Sequence, residues 1–132
     1  MENKAKILIV DDDVDFVESI KTVLDAAPYD VSVAYQGEEG LQKARDEHPD
    51  LILLDVIMPV KDGFTTAEQL KKDPELAEIP VLMLTAFGSQ VSETSIPRSR
   101  GYTLEAEGYI EKPVNPQNLL AEVAKALKKA RS

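Results

Sequence analysis

Three consecutive acids, Asp11, Asp12 and Asp13, follow directly on the aliphatic run Ile7-Leu8-Ile9-Val10, and a second aliphatic run, Leu51-Ile52-Leu53-Leu54, ends on Asp55. Carboxylates beside a core lose hydration and repel one another. Their placement makes chemical sense if a hard divalent cation such as Mg²⁺ joins them, because such cations prefer carboxylate oxygens. Two further runs lead to Thr85 and to Lys112. Carboxylates, a hydroxyl and an ammonium around a metal form a receptacle for a phosphoryl group. The metal and Lys112 neutralise its oxygens, Thr85 donates a hydrogen bond, and one aspartate attacks phosphorus.

That set assembles only if the runs end at one edge of a sheet. Ile7–Val10 reads as a fully buried strand, being short, continuous and aliphatic. From Val14 the period lengthens: Phe16, Val17, Ile20, Val23 and Leu24 share a helical face, and Pro28 closes the helix. Asp13 suits the N-cap and Asp15 the positive end of the helix dipole. Val31–Ala34 is a second strand. A helix over Gly37–Glu47 follows, with Leu41 and Ala44 inward and Glu39–Lys43 as an i,i+4 pair. His48, at its end and before Pro49, reads as a solvated residue. Leu51–Leu54 is the third strand, Met58-Pro59 and Asp62-Gly63 mark a turn, and a helix runs from Phe64 to Lys72. Pro80–Leu84 and Gly108–Ile110 are the fourth and fifth strands. Ala121–Lys129 belongs to a last helix, with Leu120, Val123, Ala124 and Leu127 inward and Lys125, Lys128, Lys129 and Arg131 on a solvated face.

Strands alternating with helices predict an α/β fold with a parallel sheet and helices on both faces. In a flavodoxin-like, doubly wound, five-stranded sheet of order 2-1-3-4-5, strands one and three are neighbours at the switch point, and Asp11, Asp12 and Asp55 converge there. The stretch from Ala86 to Thr103 breaks the rhythm with Gly88, Pro97 and Gly101, so an irregular or extended region is expected between strands four and five.

Composition bounds the remaining choices. A chain of 132 residues without internal repeats suits a single domain over 1–132. Acids exceed bases by 24 to 15, a net charge of −9, so no direct nucleic-acid binding is expected. Cysteine is absent, and His48 is the one histidine, which excludes disulfides and histidine metal clusters. No apolar run approaches membrane-spanning length. The start at Met1 does not resemble a signal peptide and is expected to be a true amino end. A cytoplasmic location is the default.

The chain resembles the receiver domain of bacterial two-component response regulators. The matching pieces are Ile7-Leu8-Ile9-Val10-Asp11-Asp12, Asp55-Val56-Ile57-Met58-Pro59 followed by Asp62-Gly63, Thr85-Ala86, and Lys112-Pro113, in the family's order over nearly the whole chain. The resemblance implies that Asp55 is the phosphoacceptor, receiving a phosphoryl group from a sensor histidine kinase or a phosphotransfer protein. It implies Mg²⁺ bound by Asp12 and Asp55, by Asp11 mainly through water, and by the backbone carbonyl of Ile57. Thr85 and Lys112 would contact the phosphoryl oxygens, and Thr85 and Tyr109 would switch on activation. Such a domain phosphorylates and slowly dephosphorylates itself but is not otherwise an enzyme. Ile57 and Phe87, both apolar, stand where family members control the attacking water, which implies slow hydrolysis. The segment between Thr85 and Lys112 departs from the family in length and composition, which leaves the partner open.

Other readings use the same residues. Asp11 and Asp12 can simply end a strand, Asp13 is better placed as a cap than as a ligand, and Thr85 or Lys112 alone is ordinary. A haloacid-dehalogenase-type phosphohydrolase also opens on a hydrophobic run and Asp-x-Asp-x-Val, matched by Asp11, Asp13 and Val14, but no second downstream acid pair appears. A flavodoxin-type electron carrier would need a hydroxyl-rich loop where the acids stand. A phosphorylation-independent, receiver-like binding module remains the third alternative.

Overall fold

A computed structural model describes residues 5–27, 29–55, 63–85, 108–111 and 114–131. The elements run β1 (Ala5–Val10), α1 (Val14–Ala26), β2 (Tyr29–Ala34), α2 (Gly37–Glu47), β3 (Leu51–Asp55), α3 (Gly63–Lys72), β4 (Val81–Thr85), β5 (Gly108–Glu111) and α4 (Pro116–Arg131). The five strands form one sheet in the order β2-β1-β3-β4-β5, and every pairing is parallel. Fold and strand order are those expected. The 86–107 segment lies outside the described residues.

The aliphatic runs are continuous because both faces of the sheet are covered. Leu8, Val10, Ala34, Ile52, Leu54, Val81 and Met83 turn to one face and meet Leu41 and Ala44 of α2, Leu70 of α3, and Leu76 and Ile79 beyond it. Ile7, Ile9, Leu51, Leu53, Leu82 and Leu84 turn to the other and meet Val17, Ile20 and Leu24 of α1 and Leu119, Val123, Ala126 and Leu127 of α4. The side-chain alternation along each strand divides one run of aliphatic residues between two cores. Burying each of the Val, Leu, Ile and Met side chains among them contributes about 1.5–3 kcal/mol relative to exposure.

Helix ends follow local chemistry. Asp13 caps α1, its carboxylate accepting from the Phe16 N–H at 3.1 Å. Asn115 caps α4, accepting from the N–H groups of Gln117 at 2.8 Å and Asn118 at 3.1 Å, with Pro116 at the first helical position, where its missing N–H costs nothing. This Asn-Pro signal places the start of α4 upstream of Ala121. The face of α4 also differs from expectation: Ala124 is exposed, whereas Leu119 and Ala126 are buried. A small side chain tolerates either environment, so the face is set by Leu119, Val123 and Leu127 together. α2 ends on His48, exposed and left-handed at φ 49°, with its N–H bonded to the Ala44 carbonyl at 2.9 Å. β2 begins two residues earlier than expected, at Tyr29. As an edge strand it is only half-buried over Val31, Ser32 and Val33, and this dilutes its apolar signal.

The face between α2 and the sheet is close. A Cβ on Gly40 would stand 2.8 Å and 3.0 Å from the two methyls of Val10. Glycine lets the helix backbone approach the last residue of β1, immediately before the acids.

Candidate functional site

The register places the acids. β1 and β3 are neighbours, with Val10 opposite Leu54, so the chain leaves both strands at the same edge, with Asp11 following β1 and Asp55 closing β3. Asp11, Asp12 and Asp55 each bring a carboxylate oxygen within 4.8 Å of the others. Asp11 is fully buried and Asp55 nearly so, whereas Asp12 is exposed. Two like charges at that spacing repel by about 3–4 kcal/mol at an effective dielectric constant near 20. A divalent cation turns that repulsion into ligation. Three hard oxygens facing a solvent-accessible edge suit Mg²⁺, which keeps several waters and takes few protein ligands. The donor set fits the ion.

The buried acid is held by backbone groups. Asp11 Oδ1 accepts from the Asp13 N–H at 2.9 Å, while the Asp11 N–H donates to the Ala34 carbonyl of β2 at 3.1 Å. Asp13 thus caps α1 with its side chain and orients Asp11 with its main chain. Ala34 carries no functional signature in the sequence, because the group that matters is its carbonyl.

Thr85 closes β4 at the same edge, one residue beyond Leu84, the partner of Asp55. It pairs with Glu111, and Tyr109 with Met83. Lys112 follows β5 directly in sequence. Ile57, Phe87 and Lys112 lie outside the described residues. The structure therefore brings together the three aspartates and places Thr85 on a strand leading to them. Among the described residues, no helix is long and apolar enough to cross a membrane.

This sheet order, with acids at the switch point of its carboxyl edge, agrees with comparisons to known proteins. The family model described as "Response regulator receiver domain" matches residues 7–124. The chain is 39% identical over 124 residues to the DNA-binding dual master transcriptional regulator RpaA of Synechocystis, covering 94% of this chain and 49% of that protein. It is 38% identical over 125 residues to the alkaline phosphatase synthesis transcriptional regulatory protein PhoP of Bacillus subtilis, covering 95% and 49%. A solved structure of a response regulator from Chloroflexus aurantiacus superposes with a TM-score of 0.85 at 35% identity, covering 96% of this chain and 99% of that one. The chain belongs to the response regulator receiver domain family. It is a receiver domain of the two-component type, and the phosphoacceptor reading stands above the phosphohydrolase and binding-module alternatives.

One expectation is overturned. Net charge argued against nucleic-acid binding, yet RpaA is a DNA-binding transcriptional regulator and PhoP a transcriptional regulatory protein. The chain spans about half the length of these relatives. The charge of a receiver domain does not describe what accompanies it in those longer relatives.

Proposed function

We propose that Asp55 accepts a phosphoryl group from a phosphohistidine donor, a sensor histidine kinase or a phosphotransfer protein, in a Mg²⁺-dependent reaction. The observation that carries this reading is the convergence of Asp11, Asp12 and Asp55 within 4.8 Å at one sheet edge in a chain of the receiver family. Asp12 and Asp55 would hold Mg²⁺ directly, Asp11 through water, and the Ile57 carbonyl would complete the protein ligands. When bound, the ion supplies positive charge to the phosphoryl oxygens and offsets repulsion among the carboxylates. An Asp55 oxygen attacks phosphorus in line with the departing donor nitrogen, the P–N bond breaks as the O–P bond forms, and Lys112 and Thr85 take up charge on the transferred oxygens. Water later cleaves the acyl phosphate and restores the carboxylate.

The added charge makes the domain a switch: a phosphoryl group that Thr85 and Lys112 bind better in one arrangement shifts the population toward it. Tyr109 is the aromatic that follows. The chain acts as one receiver domain in the cytoplasm, phosphorylating itself from small donors and reversing slowly. Control of transcription, stated for RpaA and PhoP by their names, is the output this reading favours for a protein carrying this receiver.

The test is incubation with Mg²⁺ and a small acyl phosphate or phosphoramidate. Intact mass should rise by one phosphoryl group, Asp55→Asn should abolish the gain, and chelation of the metal should prevent it. An unchanged mass in the parent chain, or labelling that survives Asp55→Asn, refutes the assignment.

A further inference from the structure

We infer that Glu39 and Lys43, on the outer side of α2, are positioning residues for Asp11. The inference rests on the metal-site reading above and extends it to side chains that do not touch the ion.

The contact between β1 and β2 ends at a vulnerable point. Their register closes with Val10 opposite Ala34, and one bond lies beyond it, from the Asp11 N–H to the Ala34 carbonyl at 3.1 Å. The bond that supports the buried acid is thus the last rung of a ladder whose partner is the edge strand of the sheet. Terminal rungs on edge strands open first. Peptide groups along a strand alternate in direction. Because the Ala34 carbonyl faces β1, the Val33 carbonyl and the Tyr35 N–H face away, along the outer edge, where β2 has no neighbouring strand among the described residues.

Both outward groups are taken by α2. Lys43 Nζ donates to the Val33 carbonyl, and Glu39 Oε1 accepts from the Tyr35 N–H at 2.9 Å. The two side chains stand 3.8 Å apart as an ion pair. The residues on either side of Ala34 are therefore tied to one helix, and Gly40 seats that helix against Val10, the residue before Asp11. As an exposed i,i+4 pair alone, Glu39 and Lys43 would contribute little. As a clamp on the end of β2 they take the outward groups of this edge strand and hold the Ala34 carbonyl where Asp11 needs it.

The test compares the full chain with Glu39→Ala/Lys43→Met, which leaves net charge unchanged, with Glu39→Gln, which keeps an oxygen for the Tyr35 N–H, and with Arg45→Met, which removes a different exposed pair of α2, that with Asp73. Hydrogen exchange of the Asp11 and Tyr35 amides is followed without metal, and Mg²⁺ alone is titrated by calorimetry or chemical shift. In the double variant both amides should exchange about tenfold faster, as the loss of one hydrogen bond implies. Mg²⁺ should bind about threefold to tenfold more weakly, less than the loss typical of groups bonded directly to metal ligands. Glu39→Gln should stay close to the parent, and Arg45→Met should change neither readout. Unchanged Asp11 exchange in the double variant overturns the inference. So does faster exchange with unaltered Mg²⁺ affinity, or an equal loss in Arg45→Met, which would mark general loosening. If the parent itself binds no Mg²⁺, the proposed function fails, while Asp11 exchange still decides whether the clamp acts.

Discussion

Replacing Gly40 with alanine sets two effects of known size against each other. In a helix interior alanine is favoured over glycine by about 1 kcal/mol, because glycine loses more backbone entropy on folding. At Gly40 the new methyl would stand 2.8 Å from one Val10 methyl and 3.0 Å from the other. Val10 is fully buried and, being β-branched, has little rotamer freedom with which to retreat. Overpacking of this kind costs about 1–3 kcal/mol. The net expectation is a loss of about 0–2 kcal/mol, or roughly 4 °C in melting temperature per kcal/mol at this chain length. Urea unfolding at equilibrium measures it. The decisive step is the same substitution in a Val10→Ala background, where the obstructing methyls are gone and Gly40→Ala should stabilise by about 1 kcal/mol. A reversal of sign between backgrounds is the signature of the close approach. If Gly40→Ala stabilises the parent by the full helix-propensity gain, α2 does not sit on Val10 as described.

Three further expectations follow from local geometry. Asp13→Ala removes the cap on Phe16 and should lower stability by about 1 kcal/mol in urea unfolding. It should leave Mg²⁺ affinity nearly intact, since Asp11 is held by the Asp13 N–H. His48→Gly should raise stability by about 1 kcal/mol or less, read as a higher unfolding midpoint, because relief of the Cβ clash of a left-handed residue at φ 49° outweighs the entropy that glycine adds to the unfolded chain. Mg²⁺ at about 100 times its dissociation constant should stabilise the parent by about 2.7 kcal/mol, seen as a rise in melting temperature that Asp12→Asn largely removes. A parent whose melting ignores Mg²⁺ would contradict the shared site.

The order of elements could be read from residues because each signal is local. Continuous aliphatic runs announce strands covered on both faces, the change of period at Val14 announces a helix, and Asp13 marks its start by accepting an N–H. The acids were visible because carboxylates beside a core are costly without a partner. Ala124 was misplaced because alanine carries almost no preference between core and solvent, so its side of the helix follows its larger neighbours. The expectation about nucleic acid failed for a different reason: the net charge of a whole chain does not describe any one surface, and relatives about twice as long include a DNA-binding regulator.

Residue types alone therefore established a parallel α/β sheet with acids at the ends of its first and third strands. That Asp11, Asp12 and Asp55 come within 4.8 Å depends on β1 lying beside β3, which only the assembled sheet decides. The support behind them is tertiary as well: the Ala34 carbonyl under Asp11 and the Lys43 ammonium on Val33 both work through main-chain groups. Every residue except proline has the same main-chain donor and acceptor, so no choice of side chain records which of them a fold will use.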